Sequence, residues 1–534
     1  MPTTVSYPGV YVEELPSGVR TITGVATSVT AFLGTASRGP VDQAVTLTGF
    51  GDFERVFGGL DAGLPLGYAV RDFFANGGAL ALVVRLYKKP ATGAAKSSYD
   101  VTDLPLEAAS EGAWGQQVRV RVDRTTTDPG TVAVAARLGV AASDLFNLTV
   151  RDGATKQVET FLNLTTKESA RRADRVLAAE SGLVRVAASA NLPQDTSPAA
   201  HSGALTDADV WTAGAKSTAA GSTATTTAVD SDTLGATEYK GSQSGKTGMY
   251  ALEEADLFNL MVVAADKRGG DAPAAFHSDA LDYCVSRRAV LIVDPASSWA
   301  SIADAKAGVA GLALTGDRAR NAAVYFPRIR QADPLLDGQV DTFAPGGTIA
   351  GVLARTDAQR GVWKAPAGTD ASLNGTLALQ VTLTDLENGL LNQLGINTLR
   401  TFPVFGNVVW GARTMRGADA AADEYKYLPV RRTALYIEES LYRGLKWVVF
   451  EPNDEPLWSQ IRLNVGAFMH DLFRQGAFQG QTPKEAYLVK CDRETTTQSD
   501  INRGVVNILV GFAPLKPAEF VIIQLQQLAG QVQA

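Results

Sequence analysis

The chain has 534 residues, of which 45% are hydrophobic and 20% charged, with a formal net charge of −7. That length implies roughly three or four packed units at about 150 residues each. Its ordinary apolar and charged fractions exclude wholesale disorder. The acidic balance excludes a general nucleic-acid binder, which carries a basic footprint, so no nucleic acid is expected among the partners. The opening Met1–Pro8 stretch has neither a charged nor an apolar leader region, so a cytoplasmic origin is expected. Apolar runs such as Leu80–Leu86 are too short to span a bilayer, and no direct membrane insertion is expected. Cys284 and Cys491 form no Cys-x-x-Cys pair, which excludes a thiolate zinc site and argues against a disulfide framework. Both read as buried small hydrophobes.

Residues 1–24 read as an arm. Pro2, Pro8 and Pro16 exclude a helix, while Val10–Glu13 can form one short strand. Two tyrosines and three valines within residues 5–13 imply order against a partner. An α/β pattern follows over residues 25–95 and resumes over 251–345. Val29–Leu33, Leu80–Leu86, Leu260–Val263, Val290–Val293 and Ala322–Phe326 read as buried strands; Leu66–Phe74, Asp279–Val285 and Ser301–Val309 read as helices. Strands alternating with helices imply a mainly parallel sheet. Residues 96–250 read as a β-rich insertion, with strands at Val118–Val122, Thr131–Leu138 and Leu145–Val150. Within it, 187–235 is Ala, Ser, Thr and Gly with few large apolar groups, which predicts a solvent-facing, mobile excursion.

The Pro-, Gly- and Asp-rich stretch 331–375 reads as a connector, at its clearest over 346–375. A last α+β unit spans 376–518. It has a helix over Thr433–Lys446 and a strand over Trp447–Phe450. A second helix is capped by Asn453 or Asp454 and buries Leu457, Ile461, Val465, Phe468, Met469 and Leu472. Strands over Tyr487–Lys490, Val505–Val510 and Phe520–Leu525 close the chain, the last within a terminal segment 519–534.

A search for chemistry returns little. His201, His277 and His470 lie in different segments and none has a zinc-protease spacing. Lys240–Thr247 ends in Gly-Lys-Thr but has Lys where a phosphate loop needs Gly, and no buried strand precedes it. Gly241–Gly245 centres on Gln243 and so is no nucleophile elbow. Asp230 and Asp232 lack the further ligands of a calcium loop. Asp294 follows a buried strand, but with Pro295 next it reads as a turn cap. No catalytic residues, metal or cofactor are expected.

Several short stretches resemble the contractile tail sheath proteins of phages and phage-like injection systems. They are SYPGVYVEE at 6–14, EGAWG at 111–115, AGVLARTDAQRGVWKAP at 350–366, INTLR at 396–400, VWGART at 409–414, YIEES at 436–440, WVVFEPN at 447–453, QSDIN at 498–502 and PLKPAEF at 514–520. Their shared order carries the resemblance, which does not extend to the low-complexity stretch. It implies a non-catalytic, subtilisin-like α/β unit with an outer insertion, plus an inner, tube-facing α+β domain at 376–518. It implies assembly in a bacterial cytoplasm as part of a virion tail or phage-like particle. The implied partners are further copies of the chain, an inner tube protein, and baseplate and tail-terminator or cap proteins.

It further implies that terminal strands are lent to neighbouring copies. The candidates are Tyr7, Pro8, Gly9, Val10, Tyr11, Val12 and Glu13 at one end, and Phe520, Val521, Ile522, Ile523 and Leu525 at the other. The candidate acceptor sheet is Val505, Val506, Ile508 and Val510, and the candidate tube-facing residues are Arg462 and Arg474. Another virion protein (capsid, fibre or adhesin) and a subtilisin-like hydrolase are the alternatives.

Overall fold

The computed structural model describes residues 20–124, 129–187, 192–193, 196–221 and 227–525. The candidate arm residues Tyr7 to Glu13 lie outside the described residues. Two compact units are present: one takes in 28–355 and 367–422, the other 20–27, 356–366 and 423 onward.

The larger unit is built on runs that are apolar on both faces and so need cover on both sides. Six parallel strands form its middle, in the order Ile396–Phe402, Ala322–Phe326, Val290–Val293, Leu260–Val263, Thr30–Gly34 and Ala81–Arg85. Gly406–Val409 and Ala44–Leu47 add an antiparallel strand at each edge. Ala31 and Leu33 share a core with Phe276, Ala280, Leu281 and Cys284 of helix Ala274–Ser286. Phe32 points the other way and meets Phe73 of helix Pro65–Ala75 edge-on, ring centroids 5.4 Å apart.

Two expectations fail here. The boundary at 376 does not hold, because Ile396–Phe402 pairs in parallel with Ala322–Phe326 and belongs to this sheet. The stretch 346–375 is not a bare connector. It opens with helix Gly346–Arg360, whose residues 346–354 are all buried. Strands Ile329–Asp333 and Gln339–Phe343 precede that helix. The glycines that read as linker are close-packing residues. A Cβ at Gly347 would sit 2.1 Å from the Ala69 carbonyl oxygen, and one at Gly351 2.5 Å from that of Phe73, so the helix lies directly on helix Pro65–Ala75.

The insertion has a core of its own. Val118–Asp123, Phe146–Asp152 and Val158–Leu164 form an antiparallel sheet whose Val118, Val120, Val122 and Val150 pack with Leu177 and Val184. Thr131–Leu138 is not a strand. Helix Pro129–Leu138 runs there, with Thr131 and Ala135 on its buried face at a spacing of four. The Val-Ala alternation misleads because Ala, Arg and Leu favour helix, and Pro suits a first turn.

The described part of 187–235 is docked rather than free. Arg121 is buried beneath it and donates to the carbonyls of Ser202 (2.9 Å), Gly203 (2.6 Å) and Lys216 (2.7 Å). Thr218–Ala219 adds a short strand to the sheet edge. His201 extends that edge: its Nδ1 accepts from the Val122 amide at 3.0 Å and its Nε2 lies 2.9 Å from Thr218 Oγ1. Polar groups therefore hold a segment that has too few large side chains to hold itself.

Candidate assembly surfaces

The smaller unit is organised by two helices. Asp454 caps helix Glu455–Arg474 by accepting from the Leu457 amide at 3.2 Å, and Pro456 sits in its first turn. Its inward face is Leu457, Ile461, Val465, Phe468, Met469 and Leu472, packed with Ile437 of helix Leu428–Gly444. Arg432 and Asp357 form a buried ion pair at 2.5 Å that ties helix Leu428–Gly444 to the returning segment 356–366. The expected strand at Trp447–Phe450 is absent. The chain has only residues 445–454 in which to pass from one helix to the next, and it does so through a tight helical turn at Lys446–Val448. Phe450 ends that passage fully exposed at φ 73°, an uncommon backbone for a bulky residue.

Segment 20–25 is built into this core. Ile22 is buried there, and a side chain on Gly444 would bring a Cβ within 2.6 Å of Ile22 Cγ2. Gly24 lies under Tyr436, where a Cβ would be 1.9 Å from the phenol oxygen. The Arg20 amide donates to Asn464 Oδ1 at 3.0 Å, the Val25 amide to Ser440 Oγ at 3.2 Å, and the Arg20 guanidinium stands 4.7 Å from the Trp447 ring centre. The sequence marks Ile22 and Gly24 as an apolar residue and a breaker. Partners more than 400 positions away give no local signal.

The other end is arranged differently. Tyr487–Lys490 and Leu509–Phe512 form an antiparallel two-stranded sheet, with Tyr487 opposite Phe512 and Val489 opposite Val510. Of the candidate acceptor residues only Val510 lies in a strand. The strand begins at Leu509, later than expected, and Val506 and Ile508 pack on the core ahead of it while Val505 is exposed. The chain then runs through Pro514 and Pro517 to a segment with no ladder partner among the described residues. Phe520, Val521, Ile522, Ile523 and Leu525 are 75–95% exposed. The expected strand is not formed there, because none of the described residues covers either of its apolar faces.

Arg462 is occupied inside the unit: its guanidinium donates to Glu455 at 2.6 Å, to Ser459 at 2.9 Å and to the Cys491 carbonyl. Arg474 is exposed in the last helical turn. His470 is exposed, 3.4 Å from the Tyr487 hydroxyl. Cys284 and Cys491 are both buried; burial pushes the Cys491 thiol up to about 11, and Cys284 upward as well.

Residues 421–527 match the model of the phage tail sheath C-terminal domain. The tail sheath protein of Vibrio phage KVP40 is 27% identical over 178 residues, which cover 33% of this chain and 25% of that protein. The chain thus aligns with about a quarter of the length of that curated relative. Among solved structures, the sheath complex of an extracellular contractile injection system in its contracted state aligns over 99% of both chains at 22% identity and TM-score 0.56. The sheath tail protein of Listeria innocua aligns over 92% of this chain and 96% of its own at 13% identity and TM-score 0.58. Residues 421–527 thus match the phage tail sheath C-terminal domain, and the fold of the whole chain is similar to that of solved sheath proteins.

Proposed function

We propose that this protein is a structural sheath subunit that polymerises helically around an inner tube and contracts to drive that tube through a target envelope, without catalysing a reaction. The observation that carries the reading lies in the smaller unit. A two-stranded sheet is marginal by itself, and here it stands beside a terminal segment whose large apolar side chains are exposed. Adding a neighbour's segment to the sheet edge satisfies both needs at once.

Magnitudes decide which interaction governs. Burying five such side chains is worth roughly 7–15 kcal/mol, and ordering six residues of backbone costs about 6–12 kcal/mol. These nearly cancel. About four to six main-chain bonds at roughly 0.5–1.5 kcal/mol each then tip the balance toward pairing. A contact that passes from copy to copy without closing generates a helix of subunits. Contraction is then a rigid-body shift to a better-packed arrangement, with its energy stored in the assembly.

Within this reading the smaller unit is the inner, tube-facing domain, and Arg474 is a better tube contact than Arg462. The parallel sheet is the subtilisin-like unit, the insertion faces outward, and tube, baseplate and terminator proteins are the partners. The particle is a phage tail or an injection device. Electron microscopy of the purified chain tests the reading: long hollow tubes are expected, and closed shells or unassembled protein under all conditions contradict it.

A further inference from the structure

The larger unit encloses a cavity of about 320 Å³ at the carboxyl ends of strands Leu260–Val263, Val290–Val293 and Ala322–Phe326. In open α/β sheets this is where small ligands sit, and the volume suits one of modest size. One wall is apolar, made by Val263, Leu291, Val293, Trp299 and Leu312. The other carries Asp294, His277, Asp271 and Arg328.

The polar wall is only partly closed on itself. Arg328 donates to Asp271 at 2.5 Å, to the Pro295 carbonyl at 3.1 Å and to the Gly270 carbonyl at 3.0 Å. Ser297 donates to both Asp271 oxygens, through its amide at 2.6 Å and its hydroxyl at 2.8 Å. That pair is complete. Asp294 uses one oxygen, accepting from the Gly346 amide at 2.7 Å, and its second oxygen has no hydrogen-bond partner among the described residues. His277 is 8% exposed and its Nδ1 has no partner. Two carboxylates against one guanidinium leave the wall one negative charge in excess, and the unpartnered Asp294 oxygen is an acceptor. Exposed Asp271, Ala274 and Gly311 form the rim, so the cavity is reachable.

We propose that this cavity binds a small organic monocation, with an ammonium or amidinium group donating to the free oxygen of Asp294 and an apolar body against Trp299. The site goes beyond the sheath reading and does not depend on it. Its titratable and charged groups are Asp294 and Arg328 after their strands, Asp271 on the preceding loop and His277 on helix Ala274–Ser286; Asp294 and Arg328 also border a smaller cavity lined by Tyr68, Asp72, Lys267 and Arg268, and helix Gly346–Arg360 presents the Gly346 amide. Burial pushes the Asp294 carboxyl up from 3.8 to about 6, and burial holds His277 below its ordinary range, hence neutral. Binding therefore needs Asp294 ionised, and it weakens as pH falls through about 6.

The test uses the purified full chain with benzylammonium as probe and benzyl alcohol as its neutral counterpart, read by calorimetric titration and thermal melts. At pH 7.5 benzylammonium is expected to bind saturably, and at ten times its dissociation constant to raise the folding equilibrium about elevenfold. Asp294→Asn keeps an acceptor for the Gly346 amide but loses the charge, so affinity should fall roughly tenfold or more. Equal binding of benzyl alcohol, undiminished binding by Asp294→Asn, or no binding at millimolar probe overturns the proposal. If the variant fails to fold, wild type at pH 5 against pH 7.5 decides, and unchanged affinity counts against the site.

Discussion

Two short segments of the smaller unit, one near each end of the described chain, have opposite fates. Arg20–Val25 and Phe520–Leu525 both lie a few residues beyond a proline, Pro16 and Pro517 respectively. The first is clamped: Ile22 is buried under Gly444, Gly24 fits under Tyr436, and amides at both ends of the segment find side-chain acceptors. The second exposes every large apolar side chain it has. Glycines make the difference. Gly24 and Gly444 clear the space that lets one segment reach its own core, while Pro514 and Pro517 lead the other away from the sheet it has just left. One segment thus belongs to its own molecule, and the other is exposed in it, as the proposed pairing with a neighbour requires.

Several substitutions test that contrast, beginning with the largest effect. Ile523→Pro removes a backbone donor that a ladder needs but no described residue of the same chain uses. Assembly should be abolished while the monomer melts within about 0.5 kcal/mol of wild type, the range for exposed sites. A clear loss of monomer stability would place the segment in its own fold. Deleting residues 1–18 leaves the Ile22 clamp in place, so the truncated chain should stay folded and soluble but form no tubes; normal tubes would remove the first eighteen residues from assembly.

Ile22→Ala opens a cavity in a packed core and should cost about 2–4 kcal/mol, seen as an earlier urea or thermal transition of the unassembled chain. No shift would mean the clamp contributes nothing. Smallest, Arg20→Ala removes the stacking on Trp447, worth about 0.5–1 kcal/mol at an exposed site. A loss above about 2 kcal/mol would show that Arg20 has a role beyond this stacking.

The sequence speaks most clearly where a pattern is local. The alternation of buried strands and helices over 29–95 and 260–326 depends on side chains within one element, and so does the Asp454-capped helix with its stripe from Leu457 to Leu472. The failures are places where a distant partner overrides a local signal. Gly347 and Gly351 read as linker until helix Pro65–Ala75 is set against them. Val132 and Val134 read as alternation until Thr131 and Ala135 are seen to share a helical face. Arg121 reads as the wet side of a strand, yet it is covered by a low-complexity segment that it holds through three carbonyls. The exposure of Phe520–Leu525 follows from composition, since a segment apolar on both faces has no way to satisfy both from one edge. Segment 20–25 gave no comparable warning.

The central claim is that the terminal segment pairs with another copy. It is tested most directly by mixing two differently tagged chains, one carrying Ile523→Cys and the other Leu509→Cys on the sheet edge, and treating the assembled mixture with a short bis-maleimide. The two native cysteines are buried and should not compete. The account predicts a covalent product containing both tags, formed only under assembling conditions. Efficient assembly without that product, or cross-linking only within single chains when both cysteines are placed in one, would contradict it.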